Sequence, residues 1–600
     1  MKDKNLDYSS ITGLILILFV LIIFTYLNNN TNNSNSRKFN SKEFFTKKET
    51  FLTEKRKKNH FYLLENNVLK LKISSLGGAI NEVLLKKYKG YDSLLSYHDQ
   101  SLYLIKNSSL LYRLSFFNEK GLNIDTNALY FKPFSLKMNK ISGIKTLIMR
   151  AKNPYGKGFL DYIYTIGEKD QYDVGFSIRT NNFFSFNETG KESGCYLSLE
   201  QKILSIEKDR DWENSYTQVY YSVSNENLNS SASIKYLSEK KTEDRNIYGV
   251  NWIAHKQQFF SFIFIPKKIL KNVFVKSENF SSGSFLKKIQ LKTFINTIKN
   301  EEFHFSFRLY FGPLDLNLLN KYHNGFEGII PFGWGFLKWI NKYFFLTVFQ
   351  FLEKTNLNYG VIIILMTVVV KLILFPMTYK QYKLSAMMKL IRPEIEKLNN
   401  KYKEDVFKKQ RAIMELYHNV GINPMSGCIS TLFQVPIFYS LFKFFPTIIN
   451  LRGKSFLWVE DLTSYDSILK LPFFIPFYGN HVSLLTLLYS LALLVYTKLS
   501  NDGRKDFSQS ENDSSIPDMN FLLYLMPIVM LFFINSYASA LSLYYFTSNI
   551  INIGFFFFIK ELMLNEKKIS LKLQEKKVIK RNYWKNIIKK ISNKKYKNTT

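Results

Sequence analysis

The sequence predicts a polytopic α-helical membrane protein that carries a large β-sandwich domain outside the membrane. Of its 600 residues, 46% are hydrophobic and 16% aromatic, yet the mean hydropathy is only -0.12. That average combines two different halves. Residues 1–27 and 336–560 hold nearly all the long apolar runs, whereas residues 28–335 are polar and interrupted by turns. Such a composition suits an apolar part in a bilayer joined to a sizeable soluble part.

The first element is an apolar run, 11–27, that follows a short head containing Lys2 and Lys4. A run of this length suits either a cleaved signal peptide or a retained membrane anchor. It ends without a small-x-small cleavage pattern, so we interpret residues 1–27 as a transmembrane anchor with its N-terminus inside. The Asn-, Ser- and Lys-rich segment 28–58 is predicted to be a flexible linker.

Residues 59–325 are predicted to form a large antiparallel β-sandwich. Apolar and polar residues alternate with period two in many places, as in VLKLKI at Val68 to Ile73, which is typical of a strand with one buried face. Turn signals recur at Gly77-Gly78, Asn153-Pro154 and elsewhere, and convincing amphipathic helices are scarce. Short strands separated by such turns indicate a sandwich.

Helical patterns follow the β-rich region. Residues 326–358 contain GFLKWINKYFFLTVFQFLEK (Gly335 to Lys354) and predict an interfacial amphipathic helix region. The core 359–560 then has five predicted transmembrane helices, at 359–378, 427–445, 481–499, 521–535 and 541–559. With the N-terminal anchor these make six spans, so both termini lie on the same side of the membrane. The intervening segment 379–423 predicts a helical hairpin broken near Asn399-Asn400.

The loops predict the orientation of these spans. Residues 379–421 hold about ten Lys or Arg and the tail after residue 559 about fourteen, whereas the connection 446–480 holds about three. The positive-inside rule therefore places the first two in the cytoplasm. The loop 501–520 is short and rather acidic although the same topology makes it cytoplasmic, but acidic residues weigh little in that rule.

The formal charge of +34 would ordinarily favour nucleic acid or an anionic membrane surface. Lys is abundant together with Asn, Ile, Phe and Tyr, which indicates a drift of composition, and much of the other basic charge lies beside the predicted cytoplasmic leaflet. The sequence lacks zinc, helix-turn-helix and RNP patterns, so DNA is not an expected partner. Only Cys195 and Cys428 are present and there is no GxxxxGK[ST] loop, so neither a metal nor a cofactor is expected.

Lys371 is the most informative residue. It is a single cation inside YGVIIILMTVVVKLILFPMT (Tyr359 to Thr378), a span that contains no acidic residue. An ionisable group in a membrane span costs at least a few kcal/mol, so it usually faces a polar cavity or a partner. The alternative is that Lys371, about 10 Å from the nearer end of the span, extends its ammonium to the cytoplasmic interface.

Three long motifs resemble the core of the YidC/Oxa/Alb family of membrane protein insertases. They are NYGVIIILMTVVVKLILFPMTYKQYKLSAMMKLIRPEIEKL (358–398), INPMSGCISTLFQVPIFYSLFKFF (Ile422 to Phe445) and LMPIVMLFFINSYASALSLYYFTSNIINI (Leu525 to Ile553). The N-terminal half is similar to the bacterial members in SSLGGAINEVLLKKY (Ser74 to Tyr88), NWIAHKQQFF (Asn251 to Phe260) and YFGP (Tyr310 to Pro313). These motifs occur in the same order as in the family, and the resemblance covers most of the chain.

The resemblance implies a fold with six transmembrane helices, of which five form a core with a hydrophilic groove, and a periplasmic β-sandwich that resembles sugar mutarotases without their activity. In the family the groove carries one basic residue, usually Arg, at the position of Lys371; further groove positions match Thr367, Tyr544 and Tyr545. An apolar slide matches Val435, Pro436, Ile437, Phe438, Phe532 and Phe533. Taken as isolated residues, these have alternatives: lipid-facing or core packing, interfacial aromatics, and a Thr bonded back to its own helix.

The resemblance also implies function: a membrane protein insertase and chaperone, not an enzyme, in the bacterial inner membrane. Its partners would be nascent membrane proteins and membrane lipids, with a Sec-type translocon for larger substrates. The hairpin 379–423 resembles the family's mobile cytoplasmic C1 region, and the basic tail 561–600 suits ribosomal RNA or anionic headgroups. Because Lys loses its proton more readily than Arg when desolvated, the groove is predicted to stay wet.

Two other classes of protein are alternatives to this interpretation. A solute transporter or channel could use a cationic groove, but transporters usually show an internal repeat with broken helices, which this sequence lacks. A membrane-anchored carbohydrate enzyme built on the sandwich would need a convergent acid/base pair, which the sequence does not display.

Overall fold

The structure is a computed structural model. It describes residues 58–91, 100–117, 123–139, 141–154, 158–167, 170–181, 183, 194–224, 233–239, 241–296, 303–402, 405–420, 426–476, 478–501 and 519–559. The predicted anchor 1–27, the linker 28–58 except its last residue, and the basic tail 561–600 lie outside the described residues. Most of the acidic loop 501–520 does so as well.

The β-rich half begins with a small antiparallel sheet. Its four described strands pair in chain order and are β1 (Phe61–Glu65), β2 (Leu69–Ser74), β3 (Ile80–Lys89) and β4 (Ser101–Ile105). In β2 the side chains of Leu69, Leu71 and Ile73 are fully buried while Lys70 and Lys72 are half-buried. The predicted alternation of VLKLKI therefore corresponds to a strand with one face in the core.

A larger antiparallel sheet holds fourteen of the described strands. They are β5 (Leu110–Phe117), β6 (Asn123–Asp125), β7 (Lys132–Met138), β8 (Lys145–Lys152), β9 (Phe159–Ile166), β10 (Asp173–Asn181), β11 (Gly194–Leu204), β12 (Gln218–Val223), β13 (Ser233–Tyr236), β14 (Glu243–Lys256), β15 (Phe260–Pro266), β16 (Leu270–Asn279), β17 (Phe285–Asn296) and β18 (His304–Pro313). The order is β6-β5-β11-β17-β16-β14-β15-β18-β10-β9-β8-β7, with β12 on β14 and β13 on β12. A helix, α1 (Arg210–Tyr216), joins β11 to β12.

The two sheets share one hydrophobic core. Tyr112 and Tyr164 of the larger sheet reach the smaller one, where the N–H of Ile80 donates to the Tyr112 hydroxyl at 3.0 Å. At the predicted turn, Gly78 has a φ of +61°, and a Cβ there would lie 2.8 Å from the Phe131 ring. The turn therefore needs glycine both for its backbone conformation and for this close approach. The predicted β-rich domain is confirmed.

The helical half follows Pro313. Its helices are α2 (Leu316–Asn320), α3 (Gly335–Trp339), α4 (Leu346–Glu353), α5 (Tyr359–Lys401), α6 (Val406–Val420), α7 (Ser426–Phe444), α8 (Leu484–Asn501), α9 (Met519–Ile534) and α10 (Ser539–Phe558). Between α7 and α8 lie short 3₁₀ turns and a hairpin of β19 (Leu469–Ile475) and β20 (Gly479–Val482). Gly360, the second residue of α5, lies against the Phe456 ring, which an added Cβ would meet.

The predicted amphipathic helix over 335–354 is not uniform. A π-helical turn, Ile340–Phe345, separates α3 from α4. Inside this turn the buried side chain of Asn341 donates to the carbonyl of Phe332 at 2.7 Å. A tertiary hydrogen bond therefore accompanies the irregularity, which the periodicity of the segment does not show. Large aromatic side chains of this region are exposed, among them Trp334, Phe336, Trp339, Tyr343 and Phe351.

The predicted span 359–378 continues without a break into the predicted hairpin 379–423. Helix α5 runs for 43 residues and contains Pro376 and Pro393, so the turn of the hairpin comes after Lys401. A helix that leaves an apolar environment needs no break, because its backbone groups remain satisfied within the helix. In the part of the chain that the structure describes, two helical segments are long and apolar enough to cross a membrane, Tyr359–Tyr382 and Ser539–Phe558; Leu484–Ser500 and Tyr524–Ile534 are apolar but shorter.

The two halves meet at the segment that follows α7. Arg452 donates from Nε to Glu207 Oε1 and Oε2 at 2.8 and 3.0 Å, and from Nη1 to the carbonyl of Lys89 at 2.7 Å. Only 3% of the Arg452 side chain and 5% of the Glu207 side chain are exposed. Gln258, in the loop between β14 and β15, donates to the carbonyl of Pro446 at 3.0 Å. A buried ion pair thus joins the β-rich domain to the helical core.

Candidate functional site

Lys371 lies inside the helical bundle, between α5 and α10. The residue is only 5% exposed, and its Nζ donates to Oδ1 of Asn552 at 2.9 Å. Lys371 and Asn552 lie twelve and thirteen residues past the first residue of their helices, which is about 18–20 Å along each axis. The ammonium therefore reaches across the bundle at one depth instead of along α5 toward an interface.

The partner of Lys371 is a neutral amide. An amide oxygen satisfies one N–H of the ammonium and leaves its charge in place, whereas a carboxylate would cancel it. Among the described residues, no ion pair includes Lys371. Tyr382 supports the arrangement from α5, since its hydroxyl donates to the carbonyl of Asn552 at 2.9 Å. Two hydrogen bonds thus tie α5 to α10 around an uncompensated cation.

Polar side chains are also buried between the helices of the bundle. The hydroxyls of Thr486 and Ser542 lie 3.0 Å apart, and Ser490 donates to the carbonyl of Pro527 at 3.0 Å. The fully buried hydroxyl of Ser440 has no hydrogen-bond partner among the described residues. Among the described residues, the buried polar residues of these helices besides Lys371 are Thr367, Ser440, Thr486, Ser490, Ser539, Ser542, Ser548, Asn549 and Asn552. The interior of the bundle is therefore polar at several positions, where buried groups need hydrogen-bond partners.

Thr367, one turn before Lys371, is fully buried. Its hydroxyl donates to the carbonyl of Ile363 at 2.7 Å, which is the back-bonded geometry that the isolated residue favoured. The oxygen can still accept a hydrogen bond, because a hydroxyl has two lone pairs.

Tyr544 and Tyr545 are buried and connect α10 to α7. The Tyr545 hydroxyl lies 3.3 Å from the carbonyl of Phe438, to which it donates, and the two rings stack with centroids 5.1 Å apart. The Tyr544 ring meets the Tyr545 ring edge-on, with centroids 5.3 Å apart, and its centroid lies 6.1 Å from that of the Phe445 ring. Both tyrosines are buried, unlike aromatic residues at a membrane interface. Through Phe438, Tyr545 connects the predicted groove residues to the predicted slide residues.

The predicted slide residues fall on two adjacent helices. Val435 on α7 is 41% exposed, and Phe532 and Phe533 on α9 are 38% and 40% exposed; Pro436, Ile437 and Phe438 are half-buried. The Phe442 ring of α7 stacks on Phe533 at 5.9 Å, which holds the two helices together. We call the exposed set the apolar strip; it also includes Met526, Ile528 and Val529 of α9, which the sequence argument missed.

The sequence argument also missed Asn552 and Tyr382, the two residues that contact each other beside Lys371. A signal for Asn552 is present in SNIIN (Ser548 to Asn552), where Ser548, Asn549 and Asn552 are polar and the rest of the helix after Asn552 is apolar. Residues three or four apart share a helix face, so this pattern marks a polar face on α10. Among the described residues, no group of three His, Cys, Asp or Glu side chains could hold a metal ion.

Fold and site together define an integral membrane protein with a large β-rich domain outside the helical core. Residues 351–567 match the family model described as 60Kd inner membrane protein, and residues 62–347 match that described as YidC periplasmic domain. Membrane protein insertase YidC of Parabacteroides distasonis is 34% identical over 86% of this chain and 80% of its own length; that of Bacteroides fragilis is 31% identical over 88% and 82%. The chain belongs to the YidC family of membrane protein insertases, whose members are inner membrane proteins.

Two solved structures are also similar to this chain. One is the crystal structure of an active YidC insertase with its first transmembrane domain resolved, with a TM-score of 0.33, 17% identity, and coverage of 90% of this chain and 98% of the other. The other is a galactose mutarotase related enzyme from Lactobacillus acidophilus, with a TM-score of 0.27, 11% identity, and coverage of 42% of this chain and 97% of the other.

Proposed function

We propose that this chain inserts membrane proteins into the bacterial inner membrane and helps them fold, through a hydrated cationic groove beside an apolar slide. Membership of a family of insertases, which are not enzymes, supports the activity. The observation that carries the mechanism is the burial of Lys371 against the amide of Asn552, a neutral partner that cannot cancel the charge of an ammonium. The apolar strip of α7 and α9 lies on the helices next to it.

Insertion of a single-span substrate has two costs that this arrangement lowers. The polar segment outside the span must cross hydrocarbon, where one charged residue costs about 2.5–3.5 kcal/mol on insertion scales. A polar groove reaching the depth of Lys371 shortens that path. The ammonium also attracts a carboxylate in the segment, by about 4 kcal/mol at 4 Å when the effective dielectric constant is about 20.

The apolar span of the substrate must meanwhile leave water. Val435, Phe532 and Phe533 offer exposed apolar surface on the outside of the bundle, and an apolar helix gains about 25 cal/mol for each Å² that it removes from water there. Lipid tails are as apolar as these side chains, so the contact does not hold the new helix back when it moves into the bilayer. Thr367, Tyr544 and Tyr545 would complete the wall between groove and strip.

The proposed topology has six spans, with the anchor 1–27 preceding the core. Helices α5, α7, α8, α9 and α10 cross the membrane, the termini lie in the cytoplasm, and the β-rich domain lies in the periplasm. The hairpin of α5 and α6 then stands in the cytoplasm, where the excess of Lys and Arg over residues 379–421 favours it. A Sec-type translocon would assist with larger substrates, and the tail 561–600 would contact ribosomal RNA or anionic headgroups.

The test is protease protection of a small single-span substrate with an acidic tail, in liposomes that contain the purified full-length protein. The native chain is compared with Lys371→Arg, Lys371→Ala and Lys371→Glu. Arg should preserve insertion, Ala should weaken it and Glu should abolish it, because the three keep, remove and reverse the charge. A matched control is Lys354→Glu, which reverses an exposed cation at the end of α4.

Two results would contradict the proposal. If all three Lys371 variants insert the substrate as well as the native chain does, the cation has no role and the apolar strip must account for insertion. If the native protein inserts nothing until other proteins are added, it has no autonomous activity.

A further inference from the structure

The hairpin of β19 and β20, between α7 and α8, presents an apolar surface to the outside. Ile468 and Leu469 are 52% and 57% exposed, and Phe473 and Phe474, near the tip, are 60% and 72% exposed. These four side chains lie within seven consecutive residues of one short hairpin. Exposed apolar groups concentrated in this way mark a contact with another apolar phase or a partner.

The turn of this hairpin and the end of β20 are hydrogen-bonded to the turn between α9 and α10. Asn535 donates from Nδ2 to the carbonyls of Tyr478 and His481, each at 2.9 Å, and its Oδ1 accepts from the N–H of Ser483 at 3.1 Å. Ser536 adds a hydrogen bond to the carbonyl of Tyr478 at 3.1 Å. The exposed tip is therefore carried on a fixed support.

The hairpin packs against α9 beside the apolar strip. The Tyr478 ring contacts Phe532 of the apolar strip edge-on, with centroids 5.3 Å apart. Strand β20 ends at Val482, and α8 begins at Leu484. The hairpin thus lies at the level where α8 begins and α9 ends, next to side chains that α9 exposes on the outside of the bundle.

We infer that this hairpin, with Phe473 and Phe474 near its tip and Leu469 at its open end, inserts into the outer leaflet of the membrane at the boundary between headgroups and hydrocarbon. Aromatic side chains are favoured at that depth. The exposed Lys470 beside them can meet lipid phosphates. Insertion has to be shallow, because the free edges of a two-stranded hairpin need water or headgroups for their backbone hydrogen bonds.

This inference rests on the proposed function in one respect, the placement of α7 and α8 across the membrane with residues 446–480 outside. Two different occupants of the surface are imaginable, a substrate helix or a second copy of this chain. The lipid is favoured because the buried Tyr478 packs on Phe532 of the apolar strip, which places the hairpin next to helix faces that the proposed topology puts in the membrane.

The test places an environment-sensitive fluorophore on single cysteines of the full-length protein in liposomes, in a Cys195→Ala and Cys428→Ser background. Phe474→Cys reports on the tip. Asn480→Cys is the matched control, since Asn480 is an exposed polar residue of the same hairpin. Leu491→Cys marks the membrane depth of α8, where Leu491 is 59% exposed. Phospholipids that carry a nitroxide at a shallow or a deep acyl position serve as quenchers.

The label at 474 should be quenched at least threefold more than the label at 480, and more by the shallow nitroxide than by the deep one. The label at 491 should show the opposite preference for depth. If the label at 474 is as open to aqueous iodide as the label at 480, the tip lies in water and the inference is overturned. If it is shielded from iodide without quenching by lipid, a protein covers the tip, which also overturns it.

The label at 491 separates the two proposals. If it is quenched by lipid while the label at 474 is not, the hairpin inference alone fails. If both labels escape quenching, α8 does not lie in the membrane, and the span assignment fails together with the hairpin. Substrate insertion by the same labelled proteins is measured in parallel, so loss of insertion with normal quenching contradicts only the proposed function.

Discussion

Replacing Asn552 with Asp puts a carboxylate at the position from which an amide oxygen now accepts a hydrogen bond from Lys371. The two side chains have nearly the same shape, and the existing Nζ to Oδ1 distance of 2.9 Å already suits an ion pair. The hydrogen bond from Tyr382 goes to the backbone carbonyl of Asn552, so the substitution leaves that contact in place. Asn552→Asp therefore changes the charge of the site while it preserves the geometry.

The size of the effect follows from the charge that is lost. A substrate carboxylate about 8 Å from an uncompensated ammonium gains about 2 kcal/mol at an effective dielectric constant of about 20. With a second carboxylate 2.9 Å from Nζ, attraction and repulsion nearly cancel at that distance. Since 1.4 kcal/mol corresponds to a factor of ten, the loss of about 2 kcal/mol is roughly 30-fold in the initial rate of insertion.

The assay is the initial rate at which an acidic-tailed, single-span substrate becomes protected from protease in liposomes. A second substrate, in which each tail carboxylate is replaced by its amide, should insert at similar rates with native protein and Asn552→Asp. Asn552→Gln is the matched control, because it changes the side chain and keeps a neutral amide acceptor beside Lys371; its rate should stay within about threefold of native. If Asn552→Asp inserts the acidic substrate as fast as the native protein, Lys371 does not act as an electrostatic trap.

Three further predictions concern the packing and charges of the fold. Arg452→Met should lower the free energy of unfolding by about 3–5 kcal/mol, because it leaves the Glu207 carboxylate buried without its cation. Adding Glu207→Gln should restore most of the lost stability. An unchanged unfolding midpoint for the single variant would contradict this reasoning. Gly360→Ala should lower the free energy of unfolding, measured by heat or denaturant, by about 1–3 kcal/mol, because the new Cβ meets an aromatic ring. The control Gly554→Ala should cause no measurable loss of stability, because its new Cβ meets nothing within 4 Å. Burial lowers the pKa of Lys256 to about 7 from 10.5, so between these values the unfolded chain binds a proton that the folded chain does not, and stability should rise with pH by up to about 1.4 kcal/mol per unit. Lys256→Met should remove that rise from the unfolding midpoints measured between pH 7 and 10, and parallel profiles for the two proteins would refute the assignment.

Local patterns in the sequence located most elements of the helical core. The apolar run predicted at 427–445 corresponds to α7 (Ser426–Phe444), and the run predicted at 541–559 corresponds to α10 (Ser539–Phe558). Such runs are readable because burial in lipid or in a core imposes composition over many consecutive residues. The π-helical turn Ile340–Phe345 was not readable, because it accompanies a hydrogen bond from Asn341 to a residue outside the helix.

The family was also accessible from the sequence, since its motifs lie in continuous segments, and the matches to family models and relatives confirm it. The contacts of the candidate site were not accessible from the sequence. Lys371 stood out as a lone cation, but its partner lies 181 residues away. Which of the polar residues of α10 meets the ammonium depends on the rotation and depth of two helices, and periodicity determines neither.

By itself, the sequence determined that this protein has a polar, strand-rich half and an apolar, helical half, and that one span carries an unpaired cation. These properties depend on composition and spacing within one segment. Only the tertiary structure decided that Asn552 receives the ammonium of Lys371 and that Arg452 joins the halves through Glu207, 245 residues away. A buried charge is stabilised by whatever polar atom packing brings within about 3 Å, and that atom belongs to a distant part of the chain.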